Sequence, residues 1–282
     1  MPGKQVTELD ALPSFTDTSL LPVHNGAGLK KGLLSQLANY LGNKFSNPNL
    51  LINPDFKINQ RGATSYEKQG YSVDRWKIWN VTVTPNASGG ITVKNDKYED
   101  TGTFIQILEN ATEGDSTLSC YVTSVSGTVT MVADDDSQVI LKQGLNIVHT
   151  SKSTKNFTIF LNRGTNVTLK WVKLEQGKVA TGFITPNMAE ELIKCCRLYQ
   201  KLQVMYTTYG VADQHYYHKL PLVTIFRANP TVSVTDQYNY NVKTKKIEWR
   251  SDGTGWLNLD VVAQSNAQTV CQLICACDAE IY

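Results

Sequence analysis

The residues in this chain best suited to recognition chemistry are two groups of aromatic side chains. Tyr66, Tyr71, Trp76 and Trp79 crowd one short stretch, and Tyr206, Tyr209, Tyr216, Tyr217, Tyr238 and Tyr240 form a second group further on. An aromatic face stacks on the apolar side of a sugar ring while neighbouring Asp, Asn or Arg side chains hydrogen-bond its hydroxyls. The same rings also fill sandwich cores and subunit contacts. Trp76 reads as core and Trp79 stands between core and surface. Tyr66, Tyr71, Trp79, Tyr216 and Tyr217 are therefore the candidate ligand-binding residues, with the second tyrosine group expected on distal loops.

Other chemistry is thinly represented. His215 and His218 are three apart with no motif-matched carboxylate or cysteine nearby, which is weak for a metal site and reads as a loop pairing. Cys271, Cys275 and Cys277 share one side of a strand with Leu273, so core packing is favoured over a soft-metal or axis-lining role. Asp134, Asp135 and Asp136 lack calcium-loop spacing and read as a solvated turn. No nucleophile elbow, zinc-helix motif or phosphate loop is present, and Gly26 to Gly32 misses the dinucleotide fingerprint by one residue. No catalytic residue, metal or cofactor is expected. A glycosidase acid pair is set by space rather than by sequence spacing, so that rival stays open.

Composition removes further classes. Lys plus Arg number 27 against 25 Asp plus Glu, a formal charge of +2, so an electrostatic grip on nucleic acid is not expected. No window offers the ~20 apolar residues of a spanning helix, and the first 20 residues lack the apolar run of a signal peptide. The expectation is synthesis and folding in a cytoplasm without membrane insertion. Six cysteines are sparse for 282 residues and fit reduced, buried thiols better than a disulfide framework.

Periodicity divides the chain into three units, 1–48, 49–186 and 187–282. In the first, Leu20-Leu21-Pro22-Val23 precedes a Gly-rich turn, and Leu33, Leu34, Leu37 and Leu41 fall on one helical face. A unit this small buries little alone, so its apolar face needs a partner. The second holds short Val-, Ile-, Thr- and aromatic-rich runs: 90–94, 104–108, 118–122, 128–132, 139–142, 157–161 and 167–172. Seven such runs predict an antiparallel jelly-roll sandwich. In the third, Pro186, Asn187 and Glu190 carry the signature of a helix start, with Leu192, Cys195, Cys196 and Tyr199 on one face. Strand patterning then returns at 204–209, 220–226, 232–234, 256–262 and 270–277. The fold class expected is mostly β: a small N-terminal α/β unit, a sandwich, one helix and a C-terminal β domain.

Several ordered motifs resemble bacteriophage tail fibres and related virion appendages. They are Asn53-Pro-Asp-Phe-x-Ile-Asn-Gln-Arg-Gly62, Asp74-Arg75-Trp76, Lys173-Leu174-Glu175, Ala180-Thr181-Gly182-Phe183, Cys196-Arg197-x-Tyr199, Phe226-Arg-Ala-Asn-Pro-Thr231 and Asp278-Ala-Glu-Ile281. The leading segment is similar to the attachment modules of such proteins. The resemblance implies a non-enzymatic virion protein, a homotrimer, made in the bacterial host cytoplasm. It would be held to tail, baseplate or capsid proteins through residues 1–48, with Leu20, Leu21, Val23, Leu33, Leu34, Leu37 and Leu41 as the attachment residues. It further implies a sandwich similar to carbohydrate-binding modules, turned toward a host surface glycan. Two rivals remain: a head fibre or capsid decoration protein with mainly an assembly role, and a fibre enzyme that degrades polysaccharide.

Overall fold

Strand-forming runs separated by turn residues fold here almost wholly into antiparallel pairs. The computed structural model describes residues 20–24, 29–33, 37, 46–67, 69–251 and 255–281. At the N-terminal end, β1 (Leu20–His24) pairs with β2 (Leu29–Leu33), with Leu20 opposite Leu33 and His24 opposite Leu29. Leu33 thus closes a strand instead of opening the expected helix, while Leu37 is helical. Leu34 and Leu41 lie outside the described residues, and Leu21 and Val23 fall within β1.

The central unit contains β3 (Gly70–Tyr71), β4 (Lys77–Trp79), β5 (Thr82–Pro85), β6 (Ile91–Asn95), β7 (Gly102–Ile107) and β8 (Ser116–Ser126). It continues with β9 (Val129–Val132), β10 (Gln138–Ile140), β11 (Gly144–Thr150), β12 (Asn156–Leu161) and β13 (Thr165–Gln176). They form a six-stranded sheet, β10-β9-β12-β7-β4-β3, against a five-stranded one, β11-β8-β13-β6-β5. All seven expected runs are strands. Trp76 is fully buried, stacked on Phe104 at 4.6 Å and met edge-on by Phe157 at 5.9 Å. Its indole N–H still finds a partner, donating to the Asn53 carbonyl at 3.0 Å, as a buried indole requires. Asp134 does more than face water: its carboxylate accepts from the backbone N–H of Lys155 and Asn156, tying the β9–β10 turn to the start of β12.

Residue alternation along β13 breaks once. Leu169 pairs with Val122 and Trp171 with Tyr121, leaving Lys170 as the extra residue of a bulge. Val167 and Leu169 point inward before it, and Val172 and Leu174 after it. The bulge therefore turns Trp171 onto the outer face beside Tyr121.

The third unit opens on α1 (Met188–Cys196), capped by the Asn187 side chain, which accepts from the N–H of Ala189 and Glu190. The helix faces inward with Glu191, Cys195 and Cys196, while Leu192, expected on the packed face, is 37% exposed. The reason is a polar anchor: Glu191 accepts from the Asn53 backbone N–H at 2.6 Å and rotates the helix toward it. Then follow β14 (Tyr199–Gly210), β15 (His215–Leu220), β16 (Thr231–Tyr240), β17 (Val242–Arg250), β18 (Trp256–Ala263) and β19 (Ala267–Asp278). They form two three-stranded sheets, β14-β19-β16 and β15-β18-β17, closed over Val204, Leu257, Leu259, Val261, Leu273 and three cysteines.

Three expectations change here. The 220–226 run stops as a strand at Leu220, because Pro221 has no N–H to continue the ladder. His215 and His218 sit on a strand rather than a loop, and the second tyrosine group lies on β14, β15 and β16. Strand β17 was not foreseen, since its lysines mask an alternation that buries Ile247. All six cysteines are buried and free.

Candidate functional site

The motifs behind the family resemblance are the joints of the molecule. Asn53, in a left-handed conformation at φ 55°, donates through its amide to the carbonyls of Ile58 and Asp74 and accepts from the Ile58 N–H. Gln60 donates to Asp74 at 2.7 Å and to the Tyr199 carbonyl at 2.8 Å, bridging the sandwich and β14. Arg61 lies 3.9 Å from the centre of the Tyr199 ring and reaches Asp278 at 3.3 Å. Arg75 and Glu280, both buried, pair at 2.6 Å. Burial pushes the carboxyls of Asp74 and Glu280 above the usual range, against the pull of Arg61 and Arg75.

A second joint closes the base of the sandwich. The buried Lys173 ammonium donates to Ser46 Oγ, to the Thr181 hydroxyl at 2.6 Å and to the Gly182 carbonyl at 3.1 Å, and pairs with buried Glu175 at 3.1 Å. Thr181 in turn is held by Glu175. Two motifs that are separate in sequence, Lys173-Leu-Glu175 and Ala180-Thr-Gly-Phe183, are thus one clamp. Its consequence is the position of Phe183, laid flat on Trp171 with centroids 4.7 Å apart and planes within 4°.

Beside that aromatic pair runs a groove of about 650 Å³ across the outer face of the five-stranded sheet, a size within the ~300–1,000 Å³ of small-ligand sites. Thr123, Thr168 and Leu169 form its floor, with Gly89 and Gly90 at one end. Gly90 has φ +85°, and a Cβ there would press on the Leu169 carbonyl oxygen, so only glycine lets the β5–β6 turn lie this close to β13. One wall carries Asp55 and Lys57, paired at 2.7 Å. The other carries Lys170, Trp171, Phe183 and Thr185, and Tyr121 extends the ring ladder from Trp171 at 6.1 Å. An aromatic wall facing hydroxyl, amide, ammonium and carboxylate groups can stack a ring and hydrogen-bond its substituents. Among the described residues Asp55 is the single carboxylate lining the groove, so they do not assemble in it the paired acids of glycoside cleavage.

The residues singled out from sequence lie elsewhere. Tyr66 bridges to Val83 through its backbone, and its hydroxyl bonds Asn59. The Tyr71 hydroxyl donates to the Ile281 carbonyl, with Arg61 5.5 Å from its ring centre. Trp79 on β4 is 47% exposed on the opposite sheet of the sandwich. On β15, Tyr217 is 65% exposed and stacks on His215, while the Tyr216 hydroxyl accepts from the Val211 N–H. These five do not converge on one site. The groove aromatics were missed because strict alternation puts Val167, Leu169 and Trp171 on one inward face. The signal available was Phe183, a large aromatic residue in the motif that follows β13 and outside any strand run.

The molecule belongs by architecture to the antiparallel β-sandwich proteins. No protein-family model and no curated protein matches the sequence. Among solved structures it is similar to a family 29 carbohydrate-binding module, at 10% identity and TM-score 0.29 over 44% of this chain and 100% of that one. It is also similar to discoidin II of Dictyostelium discoideum, at 9% identity and TM-score 0.24 over 70% and 84% of the two chains. A second discoidin II structure gives 11% identity and TM-score 0.22 over 68% and 83%. Likeness at this level carries no inference about ligand or role.

Proposed function

We propose that this chain is the adhesive subunit of a bacteriophage appendage, held to the particle through residues 1–48 and binding a host surface glycan with its sandwich. The observation that carries the binding half is the groove beside Trp171 and Phe183, with Asp55, Lys57 and Lys170 in reach of ring hydroxyls. Support for the virion half comes from the ordered motifs and from what they do. They join the sandwich to the C-terminal strands through the buried Arg75–Glu280 pair and to the helix through the Asn53–Glu191 hydrogen bond, as a display protein that must hold its binding face at a fixed angle requires. Association into a trimer would multiply weak groove affinities.

The test is a glycan array probed with the intact protein and with Trp171→Ala. Wild type should retain a defined subset of bacterial surface glycans, and Trp171→Ala should lose roughly 5- to 150-fold in apparent affinity, taking the stacking of one ligand ring on an aromatic side chain as worth about 1–3 kcal/mol. Equal binding by the variant refutes the groove assignment. Locating the protein on particles by immunolabelling separates a tail position from a head position.

A further inference from the structure

The two sheets of the C-terminal unit have opposite surfaces. Outward positions of β15-β18-β17 carry His215, Lys219, Asp260, Lys246, Glu248 and Arg250, the mixed charge of a solvated face. Outward positions of β14-β19-β16 hold almost none: register places Met205, Gln272 and Tyr238 in one row, Thr207, Val270 and Tyr240 in the next, and Gln203, Ile274 and Thr235 in a third. Charge returns only at the end nearest the sandwich, with Lys201 and Asp278. Met205 and Tyr209 are each 71% exposed, Tyr238 54% and Tyr240 52%. Charge depletion with exposed Tyr and Met is the composition of an interface core, not of a free surface.

The edge of the same sheet is equally open. Among the described residues, strand β16 pairs only with β19, and every residue from Thr231 to Tyr240 except Val232 is exposed, so the described residues leave one side of its backbone and much of both faces without cover. It contains no Lys, Arg or Pro. Its defences are Asp236, already paired with Lys245, and a bulge between Asp236 and Tyr238.

We infer that this sheet face and its β16 edge are covered by a second copy of the same chain, which deepens the oligomeric part of the function proposed above. Self-pairing of an uncharged face sets no like charges together, whereas self-pairing of the opposite sheet would confront Lys219, Lys246 and Arg250 with copies of themselves. An uncharged face with a weakly guarded edge also aggregates unless its partner is present from folding onward, and the partner always present is an identical chain. Ten residues by three strands span roughly 33 by 14 Å, about 460 Å², and the exposed β16 edge adjoins that area.

Sedimentation velocity of the full-length protein tests this. Wild type should associate at micromolar concentration. Met205→Lys with Tyr238→Lys should weaken association at least tenfold with unchanged far-ultraviolet dichroism, and Thr244→Lys on the opposite sheet should leave the mass unchanged. If the double variant unfolds, Tyr240→Lys takes its place. A wild type that stays monomeric, or a folded face variant that keeps the wild-type mass, overturns the interface. A monomer that still binds glycan sinks this inference alone, and an oligomer that binds none sinks the groove alone.

Discussion

At the scale of single residues, the proposed binding depends on side chains whose position is fixed by backbone exceptions. Trp171 faces outward because Lys170 is an extra residue in β13. Gly90 lets the neighbouring turn approach, and Gly90→Ala combines a positive φ with a steric conflict at the Leu169 carbonyl. That substitution should destabilise the sandwich by more than ~1 kcal/mol and widen the groove, read as a lower thermal midpoint together with weaker glycan retention. Cys120 and Cys196 behave oppositely, as inert packing. Burial pushes the Cys120 thiol up to about 12 and the Cys196 thiol up to about 11, so neither is a thiolate at neutral pH. A thiol reagent at pH 7 should label the native protein negligibly and all six cysteines after denaturation. Rapid native labelling would contradict this packing.

At the scale of elements, the joints decide whether the units move independently. Removing Glu280 leaves the Arg75 guanidinium buried without its partner, and Glu280→Ala should cost roughly 3–5 kcal/mol in denaturant unfolding. Asp74 predicts a pH effect of definite sign. Its pKa is raised by burial, so the folded chain holds this proton more tightly than the unfolded chain does. The stability it contributes is fully present below the unfolded value of ~3.9 and is lost as pH rises through the folded value. Relative to Asp74→Asn, the wild-type thermal midpoint should therefore fall as pH is raised from about 4 to 7. A relative rise would mean that Asp74 is stabilised as a carboxylate. Much of this level was legible in sequence: the seven sandwich runs, the Asn187 cap and the burial of Trp76 follow from periodicity and propensity. What was illegible depends on long-range pairing. The β13 bulge inverts one face, Glu191 rotates the helix to reach Asn53, and the lysines of β17 hide a strand held in place by β18.

At the scale of the whole molecule, the proposed adhesion and the proposed association would become one property. A groove with one aromatic wall would give weak binding per copy, and the proposed adhesion needs more. Chains joined through the β14-β19-β16 face would present several grooves on a body stiffened by the Arg75–Glu280 and Lys173–Glu175 pairs. Rigid spacing converts later binding events into intramolecular ones, a gain of about 10²–10⁴ in avidity when glycan density matches that spacing. Retention on a dense glycan surface should therefore exceed retention on a sparse one by at least about 100-fold for wild type. Met205→Lys with Tyr238→Lys should bind both surfaces alike, with the single-site affinity of wild type on the sparse one. Biolayer measurements at two immobilisation densities read both quantities. A density effect that survives in the dissociated variant would place the multivalency inside one chain, and would return Trp79 and Tyr217, each exposed and outside the groove, to consideration as second sites.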